Sequence, residues 1–332
     1  MSLTRPTIHD VASLAGVSKS LVSLALSGSQ KVSEPSREKI LAAAESLGYR
    51  RNAAARSLAV QRSQTMGVLI LDLHNPVFAE ILDGVQSELR DYGYSTMLVT
   101  GGDDPVLEKT EIDTLLQFQI EGLILISHRL DAKELAVIAK EVPTVTITRE
   151  DIKVSGLDTV CNDDIEGAQL AVDHLADLGH KKIVCLSGGD NPVSHSRVEG
   201  YLIAMERRGN SKLSSVVPGG LTDTTGYRAA TKALEQNPTA LFVANDIAAM
   251  GAIAAIEEAG LSVPEDVSVV GYDGISLGAL RSVNLTTIAQ PLDELGRLAA
   301  KSLVQRINDP KTKSQHIRVS SKLVVRGTTR KI

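Results

Sequence analysis

Two sets of residues in this 332-residue chain have types and spacings suited to chemistry. The first lies near the start. Read at helical period, Leu21, Val22, Ala25 and Leu26 share one face, while Lys19, Ser20, Ser23 and Leu24 share the other. Lysine can donate to guanine, serine to a base or a phosphate, and leucine can pack on a thymine methyl, so this outer face suits the reading of base edges. An ordinary solvated face with one stray leucine has the same pattern. The second set trails a series of apolar runs. Asp72 and Asn75 end one run, Ser127 and His128 another, and Thr148 and Arg149 a third. Asp190 and Asn191, Asn245 and Asp246, and Asp273 end three more. Carboxylates, amides, hydroxyls and an arginine fork form the donor and acceptor set that grips a hydroxylated small molecule. Taken singly, each is also an ordinary cap or turn residue.

Catalytic patterns are missing. There is no G-x-G-x-x-G and no P-loop, and "SGGDN" lacks the spacing of a phosphate cradle. "SHSR" at 194–197 has serine and histidine without a nucleophile elbow around them. His174 and His180 are six apart and the other five histidines are scattered, which is not a zinc spacing. The expectation is a protein that is not an enzyme and uses no metal or cofactor.

The first set needs a scaffold of short helices. Thr7-x-x-Asp10 has the pattern of a capping box and opens a helix to Ala15, and Gly16 supplies a tight turn. Ser18 caps the second helix. A third starts with Ser33 as cap and Pro35 in its first turn, ending near Leu47-Gly48. Three helices joined by an "AGVS" turn make a helix-turn-helix unit, whose second helix enters the major groove. Charge agrees: residues 1–62 hold nine Lys/Arg against four acids, a net +5, and the rest of the chain carries −10. In "RRNAAARSLAVQRSQ", Asn52 can cap a short helix at 53–59, marginal alone in water. Leu58 there is either a wedge for the minor groove or an incidental leucine in a linker.

The second set needs strands. The runs "MGVLILDL", "YSTMLVTG", "EGLILIS", "PTVTIT", "KIVCLSGG", "ALFVAND", "VSVVGYDG" and "LTTIAQ" alternate with amphipathic stretches such as 76–92, 163–178, 196–208 and 246–259. That alternation predicts two doubly wound α/β subdomains with parallel sheets, binding ligand outside the carboxyl ends of the strands. No apolar run approaches the roughly 20 residues of a membrane span. "MSLTRPTIHD" has no signal-peptide core, so a cytoplasmic location is expected, with Cys161 and Cys185 as plain buried thiols.

"TIHDVASLAGVSKSLVSLALSG", "VSEPSREKILAAAESLGY", "NAAARSLA" and "LVVRGTTR" occur in order, and the chain resembles the LacI/GalR family of bacterial transcription regulators over essentially its whole length. The resemblance implies a homodimeric repressor on a pseudo-palindromic double-stranded DNA operator, associated with the nucleoid, whose hinge helices order on DNA. It implies that Lys19, Ser20 and Leu24 read bases, that Thr7, Ser18, Ser23, Ser33, Ser36 and Asn52 touch the backbone, and that Leu58 intercalates. It divides the chain into a DNA-binding head at 1–50, a hinge helix and linker at 51–63, and a core at 64–332. The core's N-subdomain is expected at about 64–160 plus 291–319, and its C-subdomain at about 161–290 plus 320–332.

The core is similar to periplasmic sugar-binding proteins. Arg197-x-x-Gly200-Tyr201 matches a position that holds a ligand's hydroxyls or carboxylate, and Asp273 and Asn245 match further ligand positions. Phe78 stands where some members stack an aromatic ring. After "PTVTI", where sugar binders commonly carry Asp, stand Thr148 and Arg149. The expected effector site is therefore Asp72, Asn75, Phe78, Ser127, Thr148, Arg149, Asp190, Arg197, Asn245 and Asp273, holding a small polar, carbohydrate-like ligand. Arg197 and Asp273 are expected on facing walls. The competing classes, a solute-binding transport component and a sugar- or nucleotide-metabolising enzyme, lack an export signal and a catalytic motif respectively.

Overall fold

The computed structural model describes residues 6–50, 62–149 and 151–332. Asn52, Leu58 and the whole of the expected hinge helix at 53–59 lie outside the described residues. The chain separates into two compact units, Met1–Ser63 and Gln64–Ile332.

In the first unit three helices form where expected: α1 (Ile8–Ala15), α2 (Lys19–Leu26) and α3 (Glu34–Ser46). Their one-sided apolar spacing buries Val11, Ala15, Val22, Ala25 and Ile40 in one small core. Gly16, at φ 62°, ends α1 in the left-handed conformation that glycine adopts without strain. The Ser18 hydroxyl accepts from Leu21 N–H (3.2 Å) and fixes the start of α2. Arg37 on α3 donates to the carbonyls of Ala25 (3.1 Å) and Ser29 (2.6 Å), tying down the end of α2. At α1 the Asp10 carboxylate accepts from both the backbone N–H (2.7 Å) and the hydroxyl (2.8 Å) of Thr7. Ser33 differs from expectation. It occupies the cap position of α3, but its hydroxyl donates to Ser36 Oγ (2.9 Å) and makes no cap bond to the helix backbone.

In the second unit all eight expected apolar runs are strands: β1 (Thr65–Ile70), β2 (Ser95–Thr100), β3 (Gly122–Ile126), β4 (Thr144–Ile147), β6 (Ile183–Leu186), β8 (Ala240–Val243), β9 (Ser268–Asp273) and β10 (Thr286–Ala289). Four more complete the sheets: β5 (Leu157–Asn162), β7 (Ser215–Val217), β11 (His316–Val319) and β12 (Lys322–Val324). The eight helices are α4 (Pro76–Asp91), α5 (Pro105–Gln117), α6 (Ala132–Glu141), α7 (Asp164–Asp177), α8 (Pro192–Arg207), α9 (Asp223–Leu234), α10 (Asp246–Glu258) and α11 (Leu292–Asn308). Helix α8 starts four residues before the expected 196, because Asn191 caps it through Ser194 N–H (2.9 Å) and Pro192 suits a first turn.

Two six-stranded sheets result, ordered β11-β5-β4-β3-β1-β2 and β12-β10-β9-β8-β6-β7. The first is wholly parallel. The second has one exception to the expected parallel arrangement, since β12 runs antiparallel to β10. β-branched runs such as Leu123–Ile126 and Leu241–Val243 are buried because helices cover both faces of each sheet. The chain passes between the sheets three times: from β5 to α7, from β10 to α11, and from β11 to β12.

Candidate functional site

The outward face of α2 is intact. Lys19, Ser20, Ser23 and Leu24 are all exposed, whereas Val22 and Ala25 are buried on the opposite side. Thr7, Ser18 and Ser33 are exposed at the starts of the three helices, and Ser36 is half-buried in the first turn of α3. Helix starts carry free N–H groups and the positive dipole end, an arrangement that suits phosphate oxygens.

The second unit holds a cleft at the carboxyl ends of its two sheets. Eight of the ten expected residues line it: Asn75, Phe78, Ser127, Thr148, Arg149, Arg197, Asn245 and Asp273. Asp72 and Asp190 do not. They line a wider outer mouth, where Asp72 accepts from His74 N–H (2.6 Å) and Asn75 N–H (3.1 Å) as a turn-former. Asp190 projects into solvent and meets His195 Nε2 at 3.1 Å.

Arg197 and Asp273 are not on facing walls. Both belong to the β6–β10 side, and Arg197 Nη1 donates directly to Asp273 Oδ1 at 3.1 Å. Close packing sets this geometry. Gly200 lets α8 approach the backbone of α7 at Ile165, so Arg197, one turn earlier, meets Asp164 at 2.7 Å through Nε. Nη1 also donates to Ala244 O (2.5 Å), and the guanidinium carbon lies 3.7 Å from the centre of the Tyr272 ring. These bonds engage Nε and Nη1 of the guanidinium. Burial alone would favour a neutral Arg197, but Asp164 and Asp273 outweigh it and hold the charge more firmly than usual. Burial pushes Asp273 up to about 6, opposed by Arg197 and by Gln290, whose Nε2 donates to Oδ1 at 2.6 Å. Asp246, just behind, is raised to about 8 by burial and by Asp273, although it accepts from Gly274 and Ile275 N–H and from Thr287.

The other wall is built of hydroxyls. Ser127 Oγ and Thr148 Oγ1 share a hydrogen bond of 2.8 Å across the ends of β3 and β4. Arg149 grips Asp151 with Nε (2.7 Å) and Nη2 (2.8 Å) and donates to His128 O (2.8 Å). His128 is buried, which pushes its pKa down to about 3 and keeps the ring neutral, with Nε2 against Thr146 Oγ1 at 2.8 Å. Backbone conformation marks both walls. Ser127 (φ 55°), Thr148 (φ 73°) and Asp273 (φ 106°) are held at positive φ, which costs a non-glycine residue on the order of 1–3 kcal/mol. Such strain clusters where a binding site fixes a side chain.

Sequence reading missed Asn162, Asp164, Gln290 and Arg129, which also line the cleft. Asp164 was hidden because an acid in the first turn of a helix is common on dipole grounds. The one available signal was that a buried Arg197 needs a carboxylate beyond Asp273. Among the described residues no helix is long and apolar enough to cross a membrane.

Residues 7–52 match the family model for bacterial regulatory proteins of the lacI family, and residues 63–326 match that for periplasmic binding proteins and the sugar binding domain of the LacI family. The chain belongs to the LacI family. It is a DNA-binding, ligand-controlled transcription regulator and not an enzyme. Its similarity to the ribose operon repressor of Escherichia coli strain K12 is 36% identity over 330 residues, covering 97% of this chain and 99% of that one. The lac repressor dimer bound to operator and the anti-inducer ONPF superposes with a TM-score of 0.87 at 29% identity, covering 98% and 100% of the two chains. A LacI family regulator from Enterococcus faecium with bound ribose gives a TM-score of 0.73 at 30% identity, covering 81% and 99%. For a LacI-family chain, a helical head and a two-sheet α/β body are the arrangement the motifs implied.

Proposed function

We propose that this regulator is a repressor that grips a pseudo-palindromic operator as a homodimer, with release or retention set by a small sugar of pentose type in the cleft. The observation that carries the ligand reading is the junction of Arg197, Asp164 and Asp273 opposite the Ser127–Thr148 hydroxyl pair. Arg197 offers Nη2 to ligand oxygens, Asp164 and Asp273 accept from ligand hydroxyls, and Phe78 supplies an apolar face. Ribose is favoured by the E. coli ribose operon repressor and by the ribose-bound E. faecium protein. On the head, Lys19, Ser20 and Leu24 are assigned to base edges, and Thr7, Ser18, Ser23, Ser33 and Ser36 to phosphates and sugars. The head at 1–50 and the core at 64–332 act as separate modules joined through 51–63, and the protein works in the cytoplasm on chromosomal DNA.

The test is a gel shift of the full chain with DNA from its own upstream region, repeated with D-ribose, other pentoses and nucleosides. A ligand that changes operator affinity, and that at 100 times its Kd stabilises the protein by about 2.7 kcal/mol, fulfils the reading. A specific DNA complex indifferent to every compound, combined with no thermal shift, overturns it.

A further inference from the structure

Three arginines line the cleft, and none has an unmatched charge. Arg149 is clamped in two-pronged fashion by Asp151. Arg197 is shared between Asp164 and Asp273. Arg129 is paired through Nε with Asp103. Four carboxylates thus face three guanidiniums, and Asp151 is held ionised because the Arg149 fork lowers its pKa.

The backbone donors are partly occupied too. Four helices begin at the cleft: α7 is capped by the Asp163 carboxylate, and the other three starts are each covered by an asparagine oxygen. Asn75 accepts from Val77 N–H (3.1 Å), Asn191 from Ser194 N–H (2.9 Å) and Asn245 from Ala248 N–H (2.9 Å). The helix-start N–H groups that elsewhere receive phosphate are partly closed here. Further out, Asp72, Asp190 and Asp223 line the mouth beside the paired Asp103 and repel an approaching anion.

We propose that the effector is an uncharged polyhydroxy compound and that the cleft rejects its phosphate ester. This rests on the carbohydrate reading above and narrows it. A phosphate monoester brings about −1.5 to −2 charges at pH 7 into a site whose cations are already spoken for. Admitting it means breaking an arginine–carboxylate pair or burying unmatched charge, and both are costly. Hydroxyls face no such barrier, since Arg197 Nη2 and the Ser127–Thr148 pair can donate and the carboxylates can accept. The regulator therefore reads a sugar before phosphorylation. A kinase that joins a ligand hydroxyl oxygen to the terminal phosphorus of a nucleoside triphosphate, releasing the diphosphate and the hydroxyl proton, removes the signal.

The experiment is calorimetric titration of the full-length protein with three matched pairs: D-ribose and ribose 5-phosphate, D-glucose and glucose 6-phosphate, cytidine and cytidine monophosphate. The neutral member of the pair that binds should do so at least about tenfold more tightly than its ester, a gap of 1.4 kcal/mol or more. A smaller gap, or a preference for the ester, overturns the proposal and leaves the carbohydrate reading standing. Silence from all six compounds overturns the carbohydrate reading and this inference with it. Asp151→Asn, which frees the Arg149 charge from an exposed position, should narrow the gap. An unchanged gap in that variant overturns charge pairing as its cause.

Discussion

On α2 the side chains that face outward stand in solvent, and in the cleft the corresponding polar groups are buried. Lys19, Ser20, Ser23 and Leu24 are exposed, while Arg197 and Asp273 are only 5% and 4% exposed and hydrogen-bonded to each other. The two regions meet their partners under opposite conditions. A face for a long polyanion can leave its donors hydrated, because the partner's charge density drives the encounter. A pocket for a small neutral molecule has few contacts to offer, so its groups must be held in place beforehand. Removing a group from the first region should therefore change binding alone. Removing one of the buried charges of the second should change binding and folding together.

The largest effect is expected at Arg197. Arg197→Met leaves Asp164 and Asp273 buried without a cation and should destabilise the protein by about 3–5 kcal/mol, measured by urea unfolding without ligand. A variant as stable as the parent would break the comparison. Asp273→Asn should cost about 1.5–3 kcal/mol in ligand affinity, read by calorimetry. It should also alter the pH dependence of stability. The Asp273 carboxyl titrates near 6 in the folded protein against an ordinary 3.8, so its contribution is complete below about pH 4 and is lost as pH rises through 6. Unfolding measured from pH 4 to 7 should show that decline in the parent and less of it in Asp273→Asn.

Lys19→Ala should weaken the cognate operator by about 1–3 kcal/mol and relax one base position, with the melting temperature unchanged. Equal losses on cognate and random DNA would move Lys19 to the phosphates. The smallest change is expected at Ser127→Ala, about 0.5–1.5 kcal/mol of ligand affinity with little effect on the apo protein. A Ser127 variant that fails to fold would mean the hydroxyl wall is as structural as the charged one.

The two regions also differed in how far they could be read from the chain. The head is local: each helix start and stop is encoded within a few residues, so α1 to α3 were legible to within a residue or two. The exception, Ser33, turns its hydroxyl to Ser36, a choice between neighbours that sequence does not decide. In the body, β-branched runs revealed eight strands. β5 was not among them because "LDTVCN" is half polar, and its Asp158 is buried against Arg306, Ser302 and Gln315 N–H, all far along the chain. β7, β11 and β12 are three or four residues long and, with neighbours such as Ser214, Arg318 and Lys322, do not stand out as apolar runs the way the equally short β4, β6, β8 and β10 do. Strand ends told which residues gather at the cleft. They could not tell which wall Arg197 would occupy, because that follows from Gly200 and the approach of α8 to α7.

Strand β5 has one more property, which shows itself while the protein is being made. In the finished sheet it lies between β4 and β11, but Thr159 and its β11 neighbour His316 are 157 residues apart in sequence. At about 5–20 residues per second of synthesis, one edge of β5 waits roughly eight to thirty seconds for its cover. An uncovered strand edge is a template on which neighbouring nascent chains can pair. Asp158 sits at the start of that edge, just before the residues that pair with β11, and Ser302, Arg306 and Gln315 N–H, which satisfy it in the native state, all emerge late as well. Until they do, it is a bare carboxylate, and a charge within an open strand discourages strand-to-strand aggregation. The residue that anchors the finished sheet thus guards the unfinished one on the ribosome.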